Sequence, residues 1–377
     1  MKWLLWGLAL CVSGGAWAAL LNFSADEVRR IARHGPWPPP PALDVGNQFS
    51  ARADVIALGR ALFFDKRLSL DGRVSCASCH QPGRAFSDGR RRALGRVELA
   101  RNTPSLWNAA QQRWYGWDGA SDSLWSQALR ALQAPQEMAA TAQHLHELMR
   151  RDVALARRFR AAFGGEFGDN AEANAVLAAK AIGAWVATLR SRRSTFDNFR
   201  DALQSGALRQ ASAYPMSAQR GLRLFVGRAR CTLCHLGPLF TNGEFDDIGL
   251  PFFVSPGIVD PGRHGGIGQL LASPYNLLGA WSDDPQGAAA IKTRHVEPQH
   301  RNFGEFKVPS LRGVAMTAPY MHDGQLVTLA VVVRHYSELN PERLHADGQR
   351  VLEPLHLSAQ EQADLVAFLR TLSQGRR

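Results

Sequence analysis

Apolar residues recur at helical spacing through much of the chain. Between residues 122 and 204, for example, Ala178, Ile182, Trp185 and Leu189 are three or four positions apart, which places them on one face of a helix. Strict apolar–polar alternation, the mark of a half-buried strand, is scarce. The pattern therefore predicts a mainly α protein with only minor hairpins.

Polar residues mark the beginnings of two further helices. Ser24 and Glu27 have the spacing of a capping box, and they predict a helix within residues 23–35. Ser358 and Glu361 repeat this spacing before a C-terminal apolar face, which predicts a closing helix. The proline-rich residues 36–41 predict an extended segment.

Residues 243–302 have a different composition. They are rich in Gly, Pro, Asp and Asn and show little periodicity. We expect this stretch to form a long irregular loop, of the kind that carries function or wraps a neighbouring domain.

The N-terminus has the pattern of an export signal. Lys2 precedes an apolar run over residues 3–12, and the small-x-small triplet Ala16-Trp17-Ala18 follows. We expect residues 1–18 to be cleaved and the mature protein to be periplasmic. The run is too short to span a bilayer, so no membrane insertion is expected. An uncleaved anchor, or a lipoprotein attached through Cys11, is the alternative.

Four cysteines remain after this cleavage, in two CxxC pairs that are each followed by histidine. In a CxxCH motif the two thiols form thioethers to haem and the imidazole binds the iron. A redox-active CxxC or half of a zinc site is the alternative. Two copies in an exported chain favour two covalently bound haem c groups, held by Cys76, Cys79 and His80 and by Cys231, Cys234 and His235.

The two motifs belong to a segment that occurs twice. Gly59 begins a GRALFF sequence before the first motif, and Gly221 begins GLRLF before the second. We therefore predict two related c-type cytochrome-like haem domains with long irregular loops, at residues 46–210 and 211–377. Residues 19–45 would form an N-terminal helix and proline-rich segment.

Composition limits the class of partner. The 377 residues and the 45% apolar fraction suffice for two domains, each with a core. The formal charge of +11 suits an acidic protein partner. Because the arginines are spread along the chain without a basic stripe, nucleic-acid binding is not expected.

Several ordered motifs resemble one known family. They are LFFD at 62–65, RLS at 67–69, SCASCH at 75–80, RNTPSL at 101–106, WDG at 117–119, KVPSLR at 307–312 and TAPYMHDG at 317–324. Over nearly the whole mature chain, the sequence resembles the bacterial di-haem cytochrome c peroxidases, and within them the MauG-like branch. The resemblance implies that the first haem reacts with hydrogen peroxide and that the second transfers electrons.

The resemblance also implies roles for three side chains. Trp117 takes the place of the tryptophan between the haems, although it could be a plain core aromatic. Glu137 takes the place of the distal acid/base over the first haem, with a solvated helix-end glutamate as the alternative. Gln127 would have a supporting role in the same pocket.

Two departures from the classical members concern the iron ligands. In classical members, a histidine in the loop after the first CxxCH motif caps the first haem at rest. Residues 81–143 contain no histidine, so the first haem should be open at rest here. At the second haem, Tyr336 stands where classical members have methionine and the MauG-like branch has tyrosine. His335, Met321 and Met316 are the other candidates for this ligand.

Asn102, Thr317 and Pro319 match positions at which the family binds calcium between the haem domains. Amide and carbonyl oxygens suit calcium, although Asn102 and Thr317 could simply cap turns. By the same resemblance, His322 would order the interface near the second haem through hydrogen bonding.

Three functions follow from these expectations. A peroxidase would take electrons from a small cytochrome c or a cupredoxin, whereas a MauG-like maturase would oxidise residues of a partner protein. The open first haem and Tyr336 favour the maturase, and family membership favours the peroxidase. A non-catalytic di-haem electron carrier would leave Glu137 without a role.

Overall fold

The computed structural model describes residues 20–250, 253–255, 257–340 and 351–373. The predicted signal, residues 1–18, lies outside the described residues. The α-helices are α1 (Ala25–Ala32), α2 (Ala53–Phe64), α3 (Cys76–Cys79), α4 (Leu124–Gln133), α5 (Ala142–Arg151), α6 (Val153–Phe163), α7 (Ala171–Ala187), α8 (Thr195–Gln204), α9 (Leu208–Ala211), α10 (Met216–Val226), α11 (Gly262–Ala272), α12 (Ala288–His295), α13 (Leu329–Glu338) and α14 (Ala359–Arg370). The strands are β1 (Phe245–Asp246), β2 (Phe253–Ser255), β3 (Ile258–Val259) and β4 (Phe306–Lys307).

The mainly helical prediction is confirmed. Ser24 caps α1 and Ser358 caps α14, each in a capping box with the glutamate three residues later. Helices α4 to α8 occupy the region in which helical periodicity was strongest. The strands form two short antiparallel pairs, β1 with β4 and β2 with β3. In the part of the chain that the structure describes, no helix is long and apolar enough to cross a membrane.

The buried apolar side chains form two clusters. The first draws on α2 and on α4 to α7. The second draws on α8, α10, α13 and α14, together with Ile31 of α1. Phe196 and Phe199 belong to the second cluster although they precede residue 210. The division into haem domains at residues 210 and 211 stays a prediction.

Each cluster contains a close crossing of two helices that depends on a glycine of the repeated segment. A Cβ at Gly59 would overlap the main-chain carbonyl of Ala181, where α2 crosses α7. A Cβ at Gly221 would overlap the carbonyl of Asp364, where α10 crosses α14. The two halves of the chain therefore use the same backbone contact to hold the helix that precedes each CxxCH motif.

The prediction of one long irregular loop over residues 243–302 is wrong in part. The stretch contains α11 and α12 together with β1, β2 and β3. Gly266 of α11 reflects close packing, because a Cβ there would overlap the carbonyl of Asp118. Composition suggested a loop because glycine is common both in loops and where a helix packs closely against another backbone. The remainder of the stretch is irregular.

We expect Gly59→Ala and Gly221→Ala each to lower the free energy of unfolding of the holoprotein by about 3 kcal/mol, since a backbone carbonyl cannot move aside as a side chain can. Chemical denaturation followed by circular dichroism measures the change. Gly268→Ala is the matched control, because Gly268 lies in α11 and a Cβ there would meet nothing within 4 Å. Equal stability of all three variants would contradict the close-crossing interpretation.

Candidate active site

The first CxxCH motif forms a short helix and ends at its histidine. Cys76 and Cys79 bound α3, and His80 follows as its C-cap. The Nδ1 atom of His80 lies 3.0 Å from the main-chain oxygen of Phe86. Because a carbonyl can only accept, Nδ1 must carry the proton, and the lone pair on Nε2 is left to bind a metal. Burial lowers the pKa of His80 and keeps the ring neutral.

The second motif repeats this geometry on a tighter turn. Cys231 opens a single 3-10 turn, and His235 Nδ1 donates to the main-chain oxygen of Phe240 over 2.9 Å. Burial again lowers the imidazole pKa. Phe86 and Phe240 both have left-handed backbone, with φ of 57° and 55°. The same unusual conformation therefore turns a carbonyl toward each histidine.

The four thiols fit thioether formation better than the alternatives. All four are free. Burial raises the pKa of Cys76, Cys231 and Cys234 to about 12 and that of Cys79 to about 11. A redox CxxC and a zinc site both need thiolates, which a raised pKa disfavours. In the described ranges, no group of three or more His, Cys, Asp or Glu side chains is placed to hold a metal ion.

Glu137 lies beside the first motif. It follows α4 in a turn whose main chain is held by a hydrogen bond from the Glu137 amide to Ala134 (3.0 Å). Burial raises the pKa of Cys76 and Cys79 and the charge of Glu137 adds to that rise, so Glu137 lies within electrostatic range of the first motif. The side chain is half-buried. Burial raises its pKa, and the charge of Arg130 opposes that rise.

Gln127 lies on α4, ahead of this turn. Its Oε1 atom is buried and has no hydrogen-bond partner among the described residues. That oxygen is 3.7 Å from the position that a Cβ at Gly116 would occupy, so it faces the loop that carries Trp117. An unpaired buried oxygen is costly unless a ligand or water binds it, which fits the predicted supporting role.

Trp117 is hydrogen-bonded to both halves of the chain. Its indole Nε1 donates to the Asn102 carbonyl (2.9 Å), and its own carbonyl accepts from the Lys307 amide (2.8 Å). The Asn102 amide donates in turn to the carbonyl of His322 (2.7 Å). Trp117 therefore lies where segments that follow the two CxxCH motifs meet.

Buried ions surround this junction, and sequence reasoning missed them. Arg101 bridges Asp118, the neighbour of Trp117, and Asp260, with 2.6 Å to each carboxylate. Both carboxylates are almost fully buried, so pairing is required to keep them charged. Arg101 stands within the RNTPSL motif and Asp118 within WDG, but only the fold shows that they meet Asp260.

The candidates for the iron ligand opposite His235 at the second haem differ in their surroundings. Tyr336 on α13 lies near both Cys231 and Cys234; burial, followed by their charges, raises its pKa. The Nε2 atom of His335 lies 2.8 Å from the carbonyl of Ile248 and so donates to it. Met316 is 40% exposed, and Met321 lies in a left-handed turn. These surroundings favour Tyr336, whose ligand role stays a prediction.

The three predicted calcium ligands lie on two linked segments. The Asn102 Nδ2 atom donates to the Arg90 carbonyl (2.7 Å), which leaves Oδ1 as the atom able to bind a cation. The Thr317 hydroxyl donates to Val314 (3.2 Å), so Thr317, like Pro319, would contribute its carbonyl. Calcium at this position stays a prediction.

His322 orders this region, but through its main chain. Its carbonyl accepts the hydrogen bond from Asn102. Its imidazole stacks on Phe306 with ring centroids 3.5 Å apart and planes at 6°. Its Nδ1 is buried and has no hydrogen-bond partner within the described ranges. A hydrogen bond was predicted for this side chain, and the contact that the structure shows for its ring is the stack on Phe306.

Comparison with known proteins identifies the class. Residues 53–205 match the sequence model of the family described as di-haem cytochrome c peroxidase. The chain is 37% identical over 319 residues to the methylamine utilization protein MauG of Methylorubrum extorquens, covering 84% of this chain and 77% of that protein. It is 33% identical over 331 residues to the cytochrome-c peroxidase IdrP2 of Pseudomonas sp. strain SCT, covering 85% and 81%.

Solved structures agree with this grouping. A MauG-like protein associated with microbial copper homeostasis is 31% identical, with a TM-score of 0.64, over 90% of this chain and 96% of that one. The di-haem peroxidase BthA of Burkholderia thailandensis shares the fold, with a TM-score of 0.69 and 24% identity over 85% and 86%. The chain belongs to the family of di-haem cytochrome c peroxidases and MauG proteins. It is thus a haem oxidoreductase of a family that carries covalently bound haem c.

We expect Tyr336→Phe to remove the low-spin signature of the second haem, because phenylalanine offers the iron no ligand. Electron paramagnetic resonance and optical spectra of the resting holoprotein measure this change. Tyr336→His should restore a low-spin haem, and His335→Ala should keep the wild-type signal. A low-spin signal that survives Tyr336→Phe and disappears in His335→Ala would instead assign the ligand to His335.

Proposed function

We propose that this protein is a periplasmic di-haem peroxidase that reduces hydrogen peroxide to water at the first haem, with electrons relayed through the second. The observation that carries the proposal is the position of Glu137, a half-buried carboxyl beside Cys76 and Cys79. Haem c, which Cys76, Cys79 and His80 would hold, would supply the redox-active iron for this reaction.

Glu137 moves the proton that this cleavage requires. Its carboxylate accepts the proton from one peroxide oxygen and returns it to the other, which leaves as water. Partial burial holds the pKa of the carboxyl above its ordinary value, so that it both accepts and releases a proton readily. The unpaired Oε1 of Gln127 supplies a hydrogen-bond acceptor that can orient the bound peroxide.

Trp117 provides one of the contacts between the halves of the chain. Its indole is fixed by Asn102 on one side, and its carbonyl is fixed by Lys307 on the other. An aromatic ring held in one orientation between two redox centres suits electron transfer. The external donor in this proposal is a small cytochrome c or a cupredoxin with an acidic face, which the net positive charge of the chain favours.

A MauG-like maturase, which would oxidise residues of a partner protein, is the second candidate. The observation in its favour is Tyr336 near Cys231 and Cys234, because a phenolate stabilises oxidised iron. Turnover with reduced cytochrome c separates the two candidates. Rapid oxidation of the cytochrome supports the peroxidase, and its absence together with fast peroxide reaction supports the maturase.

The export signal and the calcium ion complete the proposal. Residues 1–18 would direct the chain to the periplasm. One calcium ion would bind Asn102 Oδ1 and the carbonyls of Thr317 and Pro319. Mass spectrometry of the mature N-terminus and metal analysis of the purified protein test these two parts.

We expect Glu137→Gln to slow the reaction with peroxide by on the order of 100-fold, because an amide cannot accept the proton. Stopped-flow spectroscopy measures the rate, and the haem content should stay at the wild-type value. Glu98→Gln is the matched control, since Glu98 is an exposed glutamate of the neighbouring loop. Wild-type kinetics in Glu137→Gln would remove its assigned role.

The peroxide reaction should also depend on pH through Glu137. Because the carboxylate is the active form, the rate should fall as the pH decreases through its raised pKa. Arg130 lowers this pKa, so Arg130→Gln should raise it and move the acid limb of the rate profile to higher pH. Arg130→Lys keeps the charge and should leave the limb near its wild-type position. A limb that stays in place in Arg130→Gln would contradict the assignment.

A further inference from the structure

The loop after the second CxxCH motif has an unusual set of hydrogen bonds. Four consecutive main-chain carbonyls, at residues 237–240, each accept a hydrogen bond from a different side chain. The donors, in carbonyl order, are His34 to Gly237 (3.2 Å), Arg312 to Pro238 (2.7 Å), Ser310 to Leu239 (2.7 Å) and His235 to Phe240 (2.9 Å). The last of these is the bond that orients the iron-binding imidazole.

His34 reaches this loop from the N-terminal segment. It lies just beyond α1 and is 1% exposed. Besides donating from Nδ1 to the Gly237 carbonyl, its ring stacks on Phe240 with centroids 4.4 Å apart and planes at 9°. One side chain therefore holds both the beginning and the end of the loop.

Arg312 holds the middle of the loop with a charge that is itself anchored. Its Nε donates to Pro238, and its Nη1 and Nη2 donate to the two carboxylate oxygens of Asp197 over 2.6 and 2.9 Å. Both side chains are almost fully buried. A bidentate pair of this kind fixes the guanidinium plane, so the Pro238 carbonyl has a rigid partner.

The loop needs such support because Phe240 has φ of 55°. A bulky residue occupies this region only where its surroundings determine it. Loss of the neighbouring contacts would let Phe240 relax toward negative φ, and its carbonyl would turn away from His235.

The first motif uses part of the same arrangement. Ser105 donates to the Ala85 carbonyl (2.6 Å), as Ser310 does to Leu239, and each acceptor directly precedes the phenylalanine. At the position of Arg312, however, the first half has Trp107, whose neutral ring packs edge-on against Phe86 at 5.2 Å. The buried ion pair therefore distinguishes the second loop from the first.

We propose that His34, Ser310 and Arg312 are positioning residues that set the strength of the hydrogen bond from His235 to Phe240 and, through it, the reduction potential of the second haem. The inference rests on the assignment of His235 as an iron ligand. A hydrogen bond from the far nitrogen makes a ligating imidazole more basic. A more basic ligand stabilises oxidised iron, so weakening the bond should favour the reduced haem.

Spectroelectrochemical titration of the full-length holoprotein without peroxide tests this proposal. His34→Phe keeps an aromatic ring against Phe240 but removes the donor to Gly237, and Ser310→Ala removes the donor to Leu239. We expect each to shift the reduction equilibrium of the second haem about threefold toward the ferrous state. The double variant should shift it about tenfold, or 59 mV for one electron.

Two controls give the proposal its specificity. His34→Gln retains a donor to Gly237, so its second-haem potential should lie near the wild-type value. Ser105→Ala is the matched change in the first half and should leave the second haem unchanged.

An unchanged second-haem potential in both His34→Phe and Ser310→Ala overturns the proposal, and so does an equal shift of both haems. Because the titration contains no peroxide, failure of the peroxidase proposal would be seen separately, as wild-type kinetics in Glu137→Gln.

Discussion

The structure depends first on the hydrogen bond between each CxxCH histidine and a main-chain carbonyl. His80 donates to Phe86 and His235 donates to Phe240. This bond selects the tautomer with a proton on Nδ1 and leaves Nε2 to bind iron. It requires a phenylalanine in the left-handed region. The loop between each CxxCH motif and its phenylalanine therefore has to be held by contacts from other parts of the chain.

The two CxxCH loops are similar, but they can serve different chemistry because different side chains lie near them. Near the first motif stands Glu137, a carboxyl that can exchange protons. Near the second is Tyr336, and burial raises the pKa of its hydroxyl. It can therefore bind iron as a phenolate only if the metal offsets that rise. The asymmetry therefore arises from residues outside the repeated segments, on α13 and after α4.

Sequence reasoning succeeded where the signal is local. The capping boxes at Ser24 and Ser358 lie within a few residues of the helices that they begin. It failed where long-range packing decides. The composition of residues 243–302 suggested a loop, yet Gly266 in this stretch permits α11 to contact Asp118. His34 carries no motif, and only the fold brings it to Gly237.

The junction at Trp117 holds the two halves of the chain together. Trp117 is held by Asn102 and Lys307, and Arg101 links Asp118 to Asp260 across the same region. Breaking any of these links would leave a buried polar or charged group unpaired, which is costly in a low-dielectric interior. The halves are therefore fixed relative to each other by contacts that surround the indole. In the proposed function, a rigid indole at this position would keep the distance for electron transfer constant, whereas a loose one would make the rate depend on relative motion of the two halves.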